Sequence, residues 1–442
     1  TWGRFSACSQ PGFDAFGPES AVNSSRESAV PLHPWGEGDR LARRVRRLPR
    51  VDRGRVPVAA LAPGCAIGEP TYHGSMTAHR YDTLDTLRGV AAVMVMLFHL
   101  ASRQKTEHLL PHGYLAVDFF FILSGVVLAH AYEGRFGQGL DGRGFVLRRL
   151  IRLYPLVLAG ALLGLLVRLA KYLVDPASVD PLGQVLVAGL LNAALVPMPY
   201  GSELTGRALF PTDGPLWSLF FEVLANVAWV ALLVRRKTRL LLVVLLAAAL
   251  LDAYCIHHYG TANVGSDRDT FFAALPRVTY GFVAGVLLYR LRHHMRPLTG
   301  RWVAPVLGAL LILAVLPAQA TPAHTAWWDM ACVFVILPTI VCLGMAPSNG
   351  RPASPVGGVL GKWSYPLYVL HYPVLVAVIE IAKIQLPTAP HNVVGVAAMA
   401  AALAVAWVVL VVYDEPVRAA LTRRLMAVQG RRSSVAMPTT VV

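Results

Sequence analysis

The sequence predicts an all-α, polytopic membrane protein with about ten transmembrane helices, and three observations support this. The chain of 442 residues is 55% hydrophobic and only 15% charged, whereas about a quarter of the residues in a soluble domain are charged. Eleven apolar runs follow one another along the chain, and most are long enough to cross a bilayer. The alternating ten-residue pattern of an outer-membrane barrel is absent.

The apolar runs predict one helix each, in chain order, with a single exception. Run 182–199 contains Asn192, Pro197 and Pro199, and proline interrupts a regular helix. We therefore predict that 182–199 is interfacial or only partly inserted. The ten predicted crossings are 84–102, 113–132, 153–173, 215–234, 240–256, 271–291, 302–318, 326–345, 363–383 and 392–413.

The distribution of basic residues favours ten crossings with both termini in the cytoplasm. Cytoplasmic loops of membrane proteins carry an excess of Lys and Arg. With ten crossings, 20 basic residues fall in inner loops, and an eleventh crossing would move 15 of them to the wrong side. The net charge of +15 is therefore mainly a topology signal, and no nucleic-acid partner is expected. The outer loops hold only Arg103, Lys105, Arg207 and Arg268.

Residues 1–75 differ from the rest of the chain. They are rich in Pro, Gly, Ser and Arg and show no periodic apolar face, a composition typical of disorder. We predict a disordered extension there, which falls outside the native protein if translation starts at Met76. The membrane domain is then 76–418, and 419–442 form a cytoplasmic tail. Five scattered cysteines indicate neither a disulfide framework nor a metal site.

Arg88 and His99 are the most informative pair of residues in the first crossing. They are eleven positions apart, which is about three helical turns, so both side chains share one face about 16 Å apart. Titratable side chains inside a membrane are rare and usually functional. The alternative is an arginine that snorkels from the helix end and a histidine that bonds to a neighbouring helix.

Asp118 and Glu222 are the acidic residues expected near His99. Each enters its span from the outer side, so the three residues fall at similar depth in the outer half. A carboxylate beside His99 would fix the tautomer of the imidazole and raise its basicity, as a general base requires. We predict that His99, Glu222 and Asp118 are catalytic. The alternative for Asp118 is an acid that reaches water from the end of its helix.

A second cluster, Arg148, Arg149 and Arg152, lies just before the third span. Arg149 and Arg152 are three residues apart and therefore point the same way. Together with Arg88 they provide several forked donors at the inner face, and such donors suit phosphates. The alternative is ordinary topology-determining charge at a cytoplasmic helix end.

His371 lies about halfway along run 363–383, among Tyr and Pro residues that are compatible with a broken helix. Either it belongs to the site, or it is a structural histidine bonded within the protein.

Five sequence blocks, in order, resemble the motifs of the acyltransferase 3 family of membrane acyltransferases. The resemblance runs from about Tyr81 to Arg418. Two positions depart from the family pattern: Glu222 is followed by Val223 rather than a second glutamate, and the proline after the arginine pair is displaced. The five blocks are Arg88 and His99 with the preceding Leu84-Asp85, Val117 to Gly125, Arg149 with Arg152, Trp217 to Glu222, and Ser364 to Pro373.

The resemblance implies transfer of an acyl group, usually acetyl, from cytoplasmic acyl-CoA to a hydroxyl of a cell-envelope or exported carbohydrate. His99 would deprotonate the acceptor hydroxyl or carry the acyl group itself, and Glu222 or Asp118 would orient it. Acyl-CoA is then a co-substrate, with no cofactor or metal implied. Donor binding is assigned to Arg88, Arg149 and Arg152, and the further site residues are Asp85, Ser124, Trp217 and His371.

The resemblance also implies a multi-pass protein of a bacterial plasma (inner) membrane, working with polysaccharide-assembly proteins. A transporter or flippase, or an export component for polysaccharide or lipid-linked sugar, is the alternative reading of the buried charges. That alternative does not predict an arginine cluster on the donor side.

Overall fold

The computed structural model describes residues 81–199, 206–317, 321–346 and 355–435, and within these ranges the regular structure is helical, without a β-strand. The predicted extension over 1–75 lies outside the described residues. The helices are α1 (Asp82–Arg103), α2 (Leu115–Gly137), α3 (Gly142–Val174), α4 (Leu182–Ala193), α5 (Leu216–Ala228), α6 (Thr238–Tyr259), α7 (Ala274–Leu291), α8 (Val303–Val315), α9 (Pro322–Ala331), α10 (Leu337–Gly344), α11 (Pro355–Gln385), α12 (His391–Val409) and α13 (Glu415–Val435).

In the described part of the chain, nine helical segments are long and apolar enough to cross a membrane, which confirms the predicted class. Three of them contain a π-helical turn, at Trp229–Leu233, Cys332–Ile336 and Leu410–Asp414. The first π-turn is the last turn of the helix that begins with α5, whereas the second joins α9 to α10 and the third joins α12 to α13. Helix α13 continues to Val435, so the described part of the predicted tail is helical.

Two short apolar helices account for the remaining predicted runs. Helix α4 has 12 residues, about 18 Å, in agreement with an incomplete crossing by 182–199. Helix α8 has 13 residues where the sequence predicts a full crossing over 302–318. Helix α8 still joins the two ends of the bundle. Close to its start Leu298 N donates to Leu343 O at 3.0 Å, and at its other end His112 N donates to Val315 O at 3.2 Å.

Helix ends that the sequence places on one membrane side are indeed neighbours. At the end of α7, Arg290 donates to Glu133 of α2 at 2.7 Å and to the carbonyls of Val234 and Arg236 after α5. We call this the inner end of the bundle, and the opposite end, where α1 stops at Arg103, the outer end. That the inner end faces the cytoplasm remains a prediction from the charge bias.

Close packing of two helix pairs, α1 with α11 and α2 with α7, organises the centre of the bundle. In the second pair, Gly125 of α2 and Gly285 of α7 face each other. A Cβ atom added to Gly125 would collide with the backbone of α7 at Phe282 and Val286. Small residues are the usual means of bringing membrane helices into such contact.

We predict that Gly125→Ala destabilises the protein by about 1–3 kcal/mol, because an overpacked interface must move backbone atoms. Gly134→Ala is the matched control, since Gly134 lies on the same helix and a Cβ there meets no atom within 4 Å. Thermal unfolding in detergent micelles measures both. Equal melting temperatures for the two variants would contradict the prediction.

Candidate active site

Arg88 and His99 both face α11, so the expectation that they share one face of α1 is confirmed. Arg88 Nε donates to Ser364 Oγ at 2.8 Å, and the same guanidinium donates to Gly361 O. Three turns further along, His99 Nδ1 lies 3.2 Å from His371 Nε2. Of the further residues predicted for the site, His371 thus contacts His99.

The hydrogen bonds of the two histidines define their tautomers. His371 Nδ1 lies 2.9 Å from Leu367 O, and because a carbonyl only accepts, this nitrogen carries a proton. In the neutral ring His371 Nε2 is then an acceptor, so His99 Nδ1 carries the proton that it offers to Val95 O and His371 Nε2. His99 Nε2 is therefore the acceptor nitrogen that a general base needs.

Aromatic contacts continue from His371 toward the inner end. The rings of Tyr368 and His371 have centroids 6.2 Å apart, and the Tyr368 hydroxyl is hydrogen-bonded to Ser218 Oγ. On the other side, the His99 ring lies edge-on to Tyr372 with centroids 5.4 Å apart. The imidazole pair is thus held between two tyrosines of α11.

A narrow cavity of about 110 Å³ extends from the three predicted donor-binding arginines to Tyr368 and Ser218; we call it the inner cavity. Arg88 also lies 3.2 Å from Asp85, and Arg149 is buried. Arg152 is exposed and makes no hydrogen bond with the described residues, so its guanidinium is available to a ligand. The remaining polar lining comes from Ser124, Glu222, Ser364 and Tyr365.

Glu222 lies in the inner cavity, so its predicted place beside His99 is wrong. Its Oε1 accepts from Arg149 at 2.9 Å and from Ser124 Oγ at 2.9 Å. The position of Glu222 along α5 predicted its depth in the membrane, but it did not predict the direction in which the side chain points. Glu222 is therefore a partner of Arg149 in the inner cavity rather than of the imidazole.

Asp118 is also not a partner of His99, which corrects the second carboxylate prediction. It forms a buried pair with Arg277 of α7, with Nε–Oδ1 and Nη2–Oδ2 distances of 2.8 and 2.7 Å. The two side chains are 3% and 1% exposed, so this is not an acid that reaches water. Arg277 also donates to the carbonyls of Val264 and Tyr114.

Trp217 supports the same pair. The Arg277 guanidinium carbon lies 5.5 Å from the centre of the Trp217 ring, a cation–π distance. The indole also lines a second, larger cavity of about 650 Å³ at the outer end, which we call the outer cavity. His99 and Tyr372 line this cavity, whereas Tyr368 lines the inner cavity. His371 contacts both His99 and Tyr368, so the histidine pair lies between the two cavities.

Sequence reasoning missed several buried charged residues, among them Arg277 and Asp213. An arginine four residues into an apolar helix was a usable signal for Arg277. Asp213 precedes α5, is fully buried, and neither carboxylate oxygen has a partner among the described residues. Burial holds the pKa of the Asp213 carboxyl well above its usual value of 3.8.

Within the described ranges, no three His, Cys, Asp or Glu side chains are grouped so as to hold a metal ion.

Comparison with known proteins identifies the class to which this fold and site belong. The acyltransferase 3 family model, described as an acyltransferase domain, matches residues 81–411, so the chain belongs to this family of membrane acyltransferases. It is 40% identical over 185 residues to "Protein 2 in picA locus" of Rhizobium radiobacter, covering 95% of that protein and 38% of this chain. No solved structure gives a significant match. Family membership favours acyl transfer over the transporter alternative.

We predict that Asp118→Ala destabilises the fold by about 3–5 kcal/mol, because it leaves the buried Arg277 charge without a partner. The double variant Asp118→Leu with Arg277→Met should recover much of this loss, since both charges are then removed. Thermal unfolding and the yield of folded protein are the measurements. A fully stable Asp118→Ala protein without acyltransferase activity would instead support the catalytic role predicted from the sequence.

Proposed function

We propose that this protein transfers an acetyl group from acetyl-CoA, bound at the inner cavity, to a hydroxyl of a cell-envelope or exported carbohydrate in the outer cavity. The observation that supports this most directly is the position of the His99–His371 pair between the two cavities. An enzyme whose two substrates approach from opposite membrane sides needs its base at such a boundary. The charge bias of the loops favours a cytoplasmic inner end, and the proposal places the protein in a bacterial plasma membrane.

The donor would bind through its phosphates at the arginine end of the inner cavity. Arg152 supplies a guanidinium that makes no hydrogen bond within the described part of the chain, whereas Arg149 and Arg88 are held by Glu222 and Ser364. Guanidinium groups bind phosphates through paired, charge-assisted hydrogen bonds. The thioester end would then point along the apolar wall toward Tyr368. The small volume of the cavity favours acetyl over a long acyl chain.

The reaction requires one proton to move from the acceptor to the donor. His99 Nε2 accepts the proton of the sugar hydroxyl while that oxygen forms a bond to the thioester carbonyl carbon. The carbon–sulfur bond breaks, and the proton on His99 passes to the CoA thiolate, which leaves as the thiol. His371 Nε2 accepts a hydrogen bond from His99 Nδ1 throughout the reaction. This hydrogen bond fixes the orientation of the His99 ring and stabilises its imidazolium form, a role that a carboxylate fills in other sites.

We predict that His99→Ala lowers kcat at least about 100-fold, the contribution expected of a general base, without lowering the melting temperature. His371→Ala should lower kcat less and shift the pH profile of kcat, because His99 loses its acceptor. His371→Gln restores a carbonyl acceptor and should recover part of the activity. Acetyl transfer by the purified protein measures all three, and undiminished transfer by His99→Ala would refute the mechanism.

We predict that Arg152→Ala raises KM for acetyl-CoA about tenfold with little change in kcat, because it removes one charged contact to a phosphate. Arg143→Ala is the control, since Arg143 is an exposed arginine of α3 that does not line the inner cavity. With S-acetyl-pantetheine, which lacks the nucleotide phosphates, wild type and Arg152→Ala should have the same KM. If Arg152→Ala changed only the KM for the acceptor, the phosphate site would be elsewhere.

A further inference from the structure

Positive charge is concentrated in the outer cavity and in a smaller cavity beside it. The smaller cavity shares Arg103, Lys171 and Tyr372 with the outer cavity and has a volume of about 130 Å³. Among the described residues, five cationic side chains line the two cavities against two carboxylates, Asp267 and Glu380. The cations are Arg103, Lys105, Arg168, Lys171 and Lys383.

This concentration runs against the general charge bias of membrane proteins, which depletes Lys and Arg from the outer face. Apart from Arg277, which pairs with Asp118, the described outer end holds seven Lys and Arg residues, and all but Arg207 and Arg268 line one of the two cavities. Topology alone gives no reason for the other five to converge beside His99.

The two carboxylates do not neutralise this charge. Glu380 is shared by three cations from three helices: Lys383 at 2.8 Å, Lys171 at 3.4 Å and Arg103 at 3.6 Å. Asp267 Oδ1 accepts from the backbone N–H groups of the two residues at 269 and 270. A positive excess therefore remains on the cavity wall.

Lys105 is held in this wall by an uncommon backbone conformation. Its φ is +58°, the left-handed region that normally favours glycine after a helix end. Its side chain is exposed, lines the outer cavity and makes no hydrogen bond or ion pair with the described residues. This conformation ends α1 and leaves the Lys105 side chain on the wall of the outer cavity.

From these observations we infer that the acceptor is an anionic carbohydrate, whose carboxylate or phosphate binds the cationic wall while its hydroxyl meets His99. This inference rests on the proposed function and specifies the class of its acceptor. The outer cavity, at about 650 Å³, has room for more than one sugar unit of an oligosaccharide. Lys105 supplies an ammonium group that pairs with no carboxylate of the described residues.

The test compares methyl glucoside, methyl glucuronide and glucose 6-phosphate as acceptors for the full-length protein in micelles with acetyl-CoA. At low salt the charged sugars should give the higher kcat/KM, and added salt should reduce this preference because it screens exposed charges. A higher kcat/KM for methyl glucuronide would indicate recognition of a carboxylate, and a higher kcat/KM for glucose 6-phosphate would indicate recognition of a phosphate. Equal kcat/KM for all three acceptors would overturn the inference.

Lys105→Gly makes the test specific, because glycine suits the left-handed backbone and the variant should fold at least as well as wild type. It should lower kcat/KM for the charged sugars about fivefold, the effect of one partly exposed charge pair, and lower kcat/KM for the neutral sugar less. Arg207→Gln is the control, since Arg207 is an exposed outer-end arginine that is paired with Asp269 and does not itself line the cavity. An equal loss with all three acceptors would contradict charge recognition.

A binding measurement separates this inference from the proposed function. Salt-sensitive thermal stabilisation by methyl glucuronide or glucose 6-phosphate, reduced in Lys105→Gly, would support the anionic site even if no acetyl transfer occurs. Transfer to methyl glucoside without any charge preference would preserve the proposed function and refute the anionic acceptor. Stabilisation by anionic lipid in nanodiscs, but by neither charged sugar, would assign the cations to the membrane surface and also refute it.

Discussion

The ion pair between Arg277 and Asp118 is the interaction on which the outer half of the structure depends. A guanidinium buried within a membrane protein is stable only when it is paired and fully hydrogen-bonded. Arg277 meets this requirement by joining α2, α7 and the carbonyl of Val264, and by lying over Trp217 at the start of α5. Three helix ends are thereby fixed at one point, and Trp217 becomes a rigid wall of the cavity that opens onto His99.

The parallel pair α1 and α11 provides the second constraint. Gly89 allows the backbone of α11 to approach, since a Cβ there would collide with Leu360. The two polar contacts are eleven residues apart on α1 but seven apart on α11, from Ser364 to His371. The long Arg88 side chain spans the resulting difference of about 6 Å. One helix pair therefore connects the arginine cluster of the inner cavity with the imidazoles at its far end.

Helix periodicity and sequence motifs predicted the membrane class, the shared face of Arg88 and His99, and the arginines of the inner cavity. They did not predict the partners of Asp118 and Glu222, because depth along a helix is set by rise per residue whereas a partner depends on the direction in which each helix faces. Each of these acids pairs with an arginine on another helix. Asp213 was missed for a related reason: a loop residue shows its burial only after the chain has folded over it.

The short helix α8 has a consequence for the surrounding lipid. Its 13 residues span about 20 Å, whereas the hydrocarbon core of a bilayer is about 30 Å thick. Helix α8 packs against α1 and presents Val306, Leu310 and Leu313 outward, so we expect the adjoining acyl chains to shorten toward its length. The bilayer is then locally thinned beside the helix that bears His99, and lipid chain length becomes a variable to which the surroundings of the imidazole respond.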